Sequence, residues 1–398
     1  MKYFSDINER FVVKKRATIV VKDYPELRAL VTKRLQDDVN ADLNDIDVSN
    51  ITVFGGKYEG LFRDLDPHDI KLGNWNMQNA ESTENMFCNC RNFIGSDIGK
   101  WGKMNKIKSM KRMFYNCHKF TGDLSGWSIN KTVYNASSMF WGCTEFTGKG
   151  LSSLANMWGP PGKISSTAWN MFGNCISLDT DELETWNVAD ISHLAKMFQG
   201  CKSFTGKGLE HWGPKLTNDS TKGVNNMFAE CENLDFDVSS WANIKFEQDK
   251  YPRPYKTFNT STLTKEEYRT GLANMFRNCK NFKGKGLEKW NVDNVTTFSL
   301  MFFNCESLNF DCSKWNMEKA WELYGMFKNC VSFTGEGLEN WNIDNATAEM
   351  KEMFYNCTAI TAPKFNNWKM GDKYCKQSLL RMFTKCNKKI IPEWSKKK

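Results

Sequence analysis

The stretch Trp290-Asn291-Val292-Asp293-Asn294-Val295-Thr296, followed by Met301-Phe302-Phe303-Asn304-Cys305-Glu306-Ser307-Leu308, decides the fold. Its second half returns along the whole chain with small edits. Met-Phe-x-x-Cys begins at Met86, Met113, Met139, Met171, Met197, Met227, Met275, Met301, Met326, Met353 and Met382. Successive methionines are 27, 26, 32, 26, 30, 48, 26, 25, 27 and 29 residues apart. A period of that size belongs to stacked-turn proteins, in which each unit buries its apolar face against its neighbours. The 398 residues are therefore expected to form one continuous repeat solenoid, not two or three separate globules.

Within a unit, Met197, Phe198, Cys201 and Phe204 sit at offsets 0, 1, 4 and 7, which predicts a short α or 3-10 segment packed inward. Gly-rich elbows follow, as in Thr205-Gly206-Lys207-Gly208 and Lys283-Gly284-Lys285-Gly286; glycine permits the positive φ of a sharp turn. Leu287-Glu288-Lys289-Trp290-Asn291-Val292 then reads as an extended piece, and such pieces in register would make short parallel strands. Its asparagine, seen again at Asn76, Asn187, Asn316 and Asn342, can bond either backbone or its counterpart one turn on. A tryptophan recurs once per turn and reads as a packed ladder. Eleven of the 14 cysteines are the repeat cysteine. One thiol per turn beside apolar neighbours suits a small buried hydrophobe and a reducing compartment, not a disulfide framework.

Residues 1–44 do not repeat. Ala17–Val21 reads as a strand, and Asp23-Tyr24-Pro25-Glu26 as a capped helix start followed by Leu27, Leu30, Val31 and Leu35 at helical spacing. A stack has an apolar end that must be covered, so this strand and helix are expected to cap it. Residues 45–394 then form about twelve turns, with Leu61-Phe62 standing for the first Met-Phe. Trp158-Gly159-Pro160-Pro161-Gly162 lengthens one turn, and an insertion at 242–270 lengthens another. Ile390-Ile391-Pro392-Glu393-Trp394 reads as a closing strand, and 395–398 as a basic tail.

No catalytic constellation stands out. No Cys-x-x-Cys or Cys/His set suggests a metal, the Gly-Lys-Gly elbows lack a phosphate-binding frame, and the four histidines do not recur. The expectation is a non-enzyme without cofactor or metal. Net charge is +8, from 54 basic and 46 acidic residues, and the basic clusters read as solvated surface. The amino terminus has no signal-peptide core and no run is long enough to span a membrane. The expected location is cytoplasmic or virion-associated, with the cell surface reached only by a non-Sec route. A slower rhythm of alternate turns places Lys149, Lys207, Lys285 and Glu336 in one column and Asp237 and Asp311 in another. The three lysines, with Tyr251, Arg253 and Tyr255 of the insertion, are the candidate partner-binding residues.

These units resemble the BspA-like leucine-rich repeat surface proteins, whose phrase runs Trp-Asp-Val-Ser-Asn-Val-Thr into Met-Phe-x-x-Cys. Trp290–Thr296 with Met301, Phe302 and Cys305 is the nearest copy, and Asp47-Val48-Ser49-Asn50-Ile51-Thr52 keeps the opening words. The resemblance covers residues 45–394 and implies a right-handed, leucine-rich-type coil of exported surface proteins and adhesins, with no catalytic residues to carry over. The function expected is a binding or adhesion coil that offers a repeated surface to a macromolecule. A protein partner comes first, a glycan second and nucleic acid third; an intracellular or phage virion scaffold is the alternative role. Oligomeric state is not legible.

Overall fold

The computed structural model describes residues 18–160, 166–216, 222–246, 271–343, 349–361, 364–368 and 379–396. The fold grows from the Met-Phe-x-x-Cys segment, which is not a helix. The residues just before the methionine and just before the cysteine both take positive φ: Asn85 at 57° and Asn89 at 65°, Asn274 at 56° and Asn278 at 61°. Asparagine is the non-glycine residue best suited to that region. Its placement bends the chain into successive four-residue turns. Met86 N–H donates to the Thr83 carbonyl at 3.1 Å and Cys90 N–H to that of Phe87 at 3.0 Å. Cys88 N–H likewise stays within the turn, donating to Asn85 at 3.0 Å, and the alternate N–H groups point along the stack instead. Those of Asn85, Phe87 and Asn89 donate to the carbonyls of Lys111, Met113 and Tyr115 in the next turn, at 2.9, 2.9 and 2.8 Å. A helix would have used every one of these donors within its own turn and left none to bind its neighbour.

Most of the parallel pairing among the described residues also lies elsewhere than expected, though Lys103 pairs with Ser128 just after Trp101 and Trp127, in the piece expected to be extended. It runs four residues before each methionine, through Ser82, Ser109, Asn135, Thr167, His193 and Gly223, and again through Thr297, Glu322 and Glu349. Leu287–Lys289, expected to be extended, is a 3-10 helix whose N-cap Gly286 has φ 96°. Leu287 and Trp290 are both buried while Lys289 is exposed. Two inward side chains three residues apart are met by a 3-10 turn and not by strand alternation. The following asparagines bond backbone, as the first of their two alternatives: Asn76 accepts from Gln78 N–H at 3.1 Å and Asn291 from Asp293 N–H at 3.0 Å.

Three ladders fill the interior. Twelve phenylalanines, from Phe62 to Phe383, stack ring on ring at 4.8–6.0 Å. The once-per-turn indoles of the ladder are buried and donate to a carbonyl one turn back, Trp212 to Leu183 at 2.8 Å and Trp315 to Leu287 at 2.8 Å, whereas the buried Trp158 indole does not. Each repeat cysteine does likewise: the Sγ of Cys117 donates to Phe87 and that of Cys201 to Phe172, at 3.0 and 2.9 Å. The Phe87 carbonyl thus accepts from Cys90 N–H with one lone pair and from the Cys117 thiol with the other. That is why the position is cysteine: the site is apolar and small, yet has an acceptor to satisfy. Burial holds these thiols far above their ordinary pKa. Serine has a shorter reach to the carbonyl and a costlier group to bury. We expect Cys201→Ser to lower unfolding free energy by about 1–3 kcal/mol, measured by denaturant titration.

At the amino end, Ile19–Val20 pairs in parallel with Ile46–Asp47. Helix Tyr24–Asp37 follows, its N-cap Asp23 accepting from Glu26 N–H at 3.0 Å. Leu27, Val31 and Leu35 of the helix join the same apolar cluster that runs to Ile390. At the carboxyl end the expected strand is absent. Lys388–Ile390 is a 3-10 turn and Glu393–Lys396 a single helical turn, because Pro392 starts it and accepts from Ser395 N–H at 3.0 Å. Trp394 stacks on Trp368 at 6.5 Å and donates to the Phe365 carbonyl at 3.1 Å, closing the indole ladder.

The 48-residue step from Met227 to Met275 does not interrupt the stack. Phe228 lies on Phe276 at 5.7 Å, and the Cys279 thiol donates to the Phe228 carbonyl at 3.0 Å. Deleting enough of 247–270 to restore the 26-residue step is expected to leave the thermal midpoint within a few degrees of the parent.

Candidate interaction face

The sulfur, indole and phenyl groups of the repeat are consumed inside, so what a partner meets is the set of positions the repeat leaves variable. Lys149, Lys207 and Lys285 are exposed, and the structure corrects the two-column reading of their rhythm. They occupy the sixth position after the cysteine, and so do Asp123, Asp181, Asp237, Asp311 and Glu336. It is one column in which acid and base alternate from Asp123 to Asp311, with the acid Glu336 following. Lys149 pairs with Asp123 at 2.8 Å, Lys207 with Asp181 at 3.3 Å and Lys285 with Asp237 at 3.0 Å. The Lys149 ammonium and then Ser125 pull the Asp123 carboxyl down to about 2. Ser239 first, then Lys285, does the same to Asp237, also to about 2. Pairs this exposed add little stability. They do neutralise the column, so an incoming anion would have to displace an aspartate. Tyr251, Arg253 and Tyr255 lie outside the described residues.

A second column is less exposed but varies in chemistry, and sequence reasoning passed over it. It is the second residue after each methionine, the x of Met-Phe-x-Asn-Cys. Its carbonyl accepts from the preceding turn, as Phe303 does from Asn278 N–H at 2.7 Å and Tyr355 from Asn329 N–H at 2.8 Å. Its side chain is half-buried at Tyr115, Trp141, Arg277, Phe303, Lys328 and Tyr355 and buried at Cys88 and Ala229. In the amino-terminal half the column carries Tyr115 stacked on Trp141 at 4.6 Å, with the Arg112 guanidinium 5.3 Å from the tyrosine ring. Lys196 sits 5.8 Å from Trp169 nearby. In four consecutive later turns it reads Arg277, Phe303, Lys328, Tyr355. Arg277 and Lys328 lie over Phe303 at 5.8 and 5.6 Å. Lys328, Arg381 and Lys385 lie over Tyr355 at 5.1, 5.0 and 5.4 Å. Lys385 and then Arg381 draw the Tyr355 hydroxyl below its usual pKa. The signal available in the sequence was contrast: this position varies from Gly173 and Ala229 to Trp141 and Arg277, while the Met-Phe before it and the cysteine two residues on stay fixed.

Asparagines beside this column hold the turns in register. Asn304 donates to Asn278 at 2.8 Å, Asn329 to Asn304 at 2.6 Å and Asn356 to Asn329 at 3.2 Å. The buried Glu352 carboxylate accepts from Lys328 at 2.5 Å and Arg381 at 3.0 Å. Among the described residues no group of three potential metal ligands converges. A cavity of about 390 Å³, lined by Trp127, Ser128, Asn130, Ser152 and Asn156 among others, has no titratable side chain in its wall. Among the described residues no helix is long and apolar enough to cross a membrane.

A leucine rich cell surface protein from Faecalibacterium prausnitzii is similar at 16% identity, over 78% of this chain and 82% of that one, with a TM-score of 0.32. No curated protein matches the chain. Residues 28–154, 166–265 and 270–394 match one family throughout. The chain belongs to the family described as Mycoplasma protein of unknown function, DUF285.

Proposed function

We infer that the chain is a non-enzymatic binding coil of the BspA-like, right-handed leucine-rich type, displayed at a surface and joined to a macromolecular partner through its variable column. One observation carries this reading: partly exposed aromatic and cationic side chains gather at and beside the second position after the methionine, on turns fixed to one another by backbone bonds. A rigid row of amphipathic side chains loses little conformational entropy on binding, and exposed tyrosine, tryptophan and arginine are the side chains that dominate contact energies. The paired lysine column of Lys149, Lys207 and Lys285 would contribute at most a second, weaker edge.

The test is a printed array of purified proteins and oligosaccharides, probed with the intact chain and with a Tyr115→Ser/Tyr355→Ser variant. Both tyrosines are partly exposed, so the fold should persist. A ligand held by the parent and weakened at least tenfold in the variant supports the reading. Equal retention of every ligand by both would end it.

A further inference from the structure

The carboxyl-terminal half of the column has a chemistry of its own. Its two rings are covered: Phe303 has a cation from the turn before and another from the turn after, and so does Tyr355. Rings so capped have no open face on which a base or a sugar could stack. They act as spacers that hold cationic head groups apart. Arg277 and Lys385 pair with no carboxylate among the described residues, while Lys328 and Arg381 share the single buried Glu352. The result is a positive ridge with rungs at Arg277, then Lys328, then Arg381 with Lys385, one rung every second turn. At ~4.8 Å per turn the rungs are roughly 10 Å apart.

The geometry points to an acidic, extended peptide as the occupant of this ridge, one whose carboxylates recur at every third residue. This rests on the reading of the column as a binding face and names the partner class for its later half. A polyproline II segment returns to the same side every three residues, about 9 Å along its axis, which matches the rung spacing. A flat strand repeats a face every two residues, about 7 Å. Strand phosphates of duplex DNA are spaced about 3.4 Å along the axis. The strand misses the rungs, and only every third phosphate would meet one, with two charges left unpaired in between; a peptide can carry its charges at the rung spacing alone.

The probe is a fluorescein-labelled twelve-residue peptide with glutamate at every third position. A peptide of the same composition with its glutamates in one block is the comparison. Fluorescence polarisation with the intact chain at low salt should show the spaced peptide binding at least five-fold more tightly than the blocked one. Arg277→Gln/Lys385→Gln should weaken it at least tenfold. Neither substitution touches Glu352, and an unchanged thermal melt would confirm the fold. No binding of the spaced peptide, or binding indifferent to the double substitution, would overturn the proposal. So would a heparin fragment or a dT12 oligonucleotide that displaces the peptide at lower concentration. If the array ligand is still lost on Tyr115→Ser/Tyr355→Ser in that event, the binding face stands and only its assignment to acidic peptides falls.

Discussion

Raising the pH from 8 to 10 should unfold this protein under conditions in which most proteins of its size stay folded. The thiols set the direction. Every described cysteine is a free thiol whose folded pKa is raised by burial. In the unfolded chain each ionises near pH 8.5, so above that pH the unfolded state binds fewer protons than the folded one. Stability is whole below the unfolded pKa and is lost as pH climbs towards the folded value. At pH 10 the loss is about 2 kcal/mol per thiol. There is one such thiol per turn, and a turn of this length carries roughly 1–4 kcal/mol of net stability. Lys222 works the other way: burial lowers its ammonium to about 8, so it favours the folded state as pH rises. One lysine does not offset eleven repeat thiols. Circular dichroism across this pH range, with reductant present, should show the midpoint near pH 9–10 and recovery on return to pH 7.5.

Phe198→Ala is the second large effect. Phe198 stacks on Phe172 at 5.5 Å and Phe228 at 5.7 Å, and touches Phe204 at 4.5 Å and Trp212 at 6.2 Å. It is fully buried, so truncation should cost about 3–5 kcal/mol. In a stack where each turn touches only its neighbours, that loss falls on two interfaces and not on the whole. Denaturant unfolding should split from one transition into two, the halves before and after the substituted turn melting separately. A single transition shifted as a unit would mean that the two halves stay coupled through the substituted turn, and would contradict a loss confined to two interfaces.

The period and the inward side chains were legible because apolar residues return at fixed spacing and must be buried together. The path of the backbone was not. Offsets 0, 1, 4 and 7 fit a helix, and also a run of tight turns with left-handed residues. Apolar spacing cannot separate the two. What separates them is the asparagine before the cysteine, at Asn89, Asn116, Asn174, Asn278, Asn304, Asn329 and Asn356, and its meaning is conformational, not hydrophobic. The Leu-x-x-Trp spacing misled in the same way, since the buried pair three residues apart was read through its neighbour Val292. The variable column escaped notice because repetition draws attention to what is fixed, whereas a partner meets what is not.

The most direct test of the central claim, that the repeat side chains are interior structure, is a count of reactive thiols in the folded protein. A chromogenic disulfide reagent at pH 7.5 should leave the twelve buried cysteines silent, with colour from Cys386, which is partly exposed, and at most from Cys375, outside the described residues. All 14 should react once denaturant is added. Prompt reaction of about half or more of the twelve without denaturant would contradict the account.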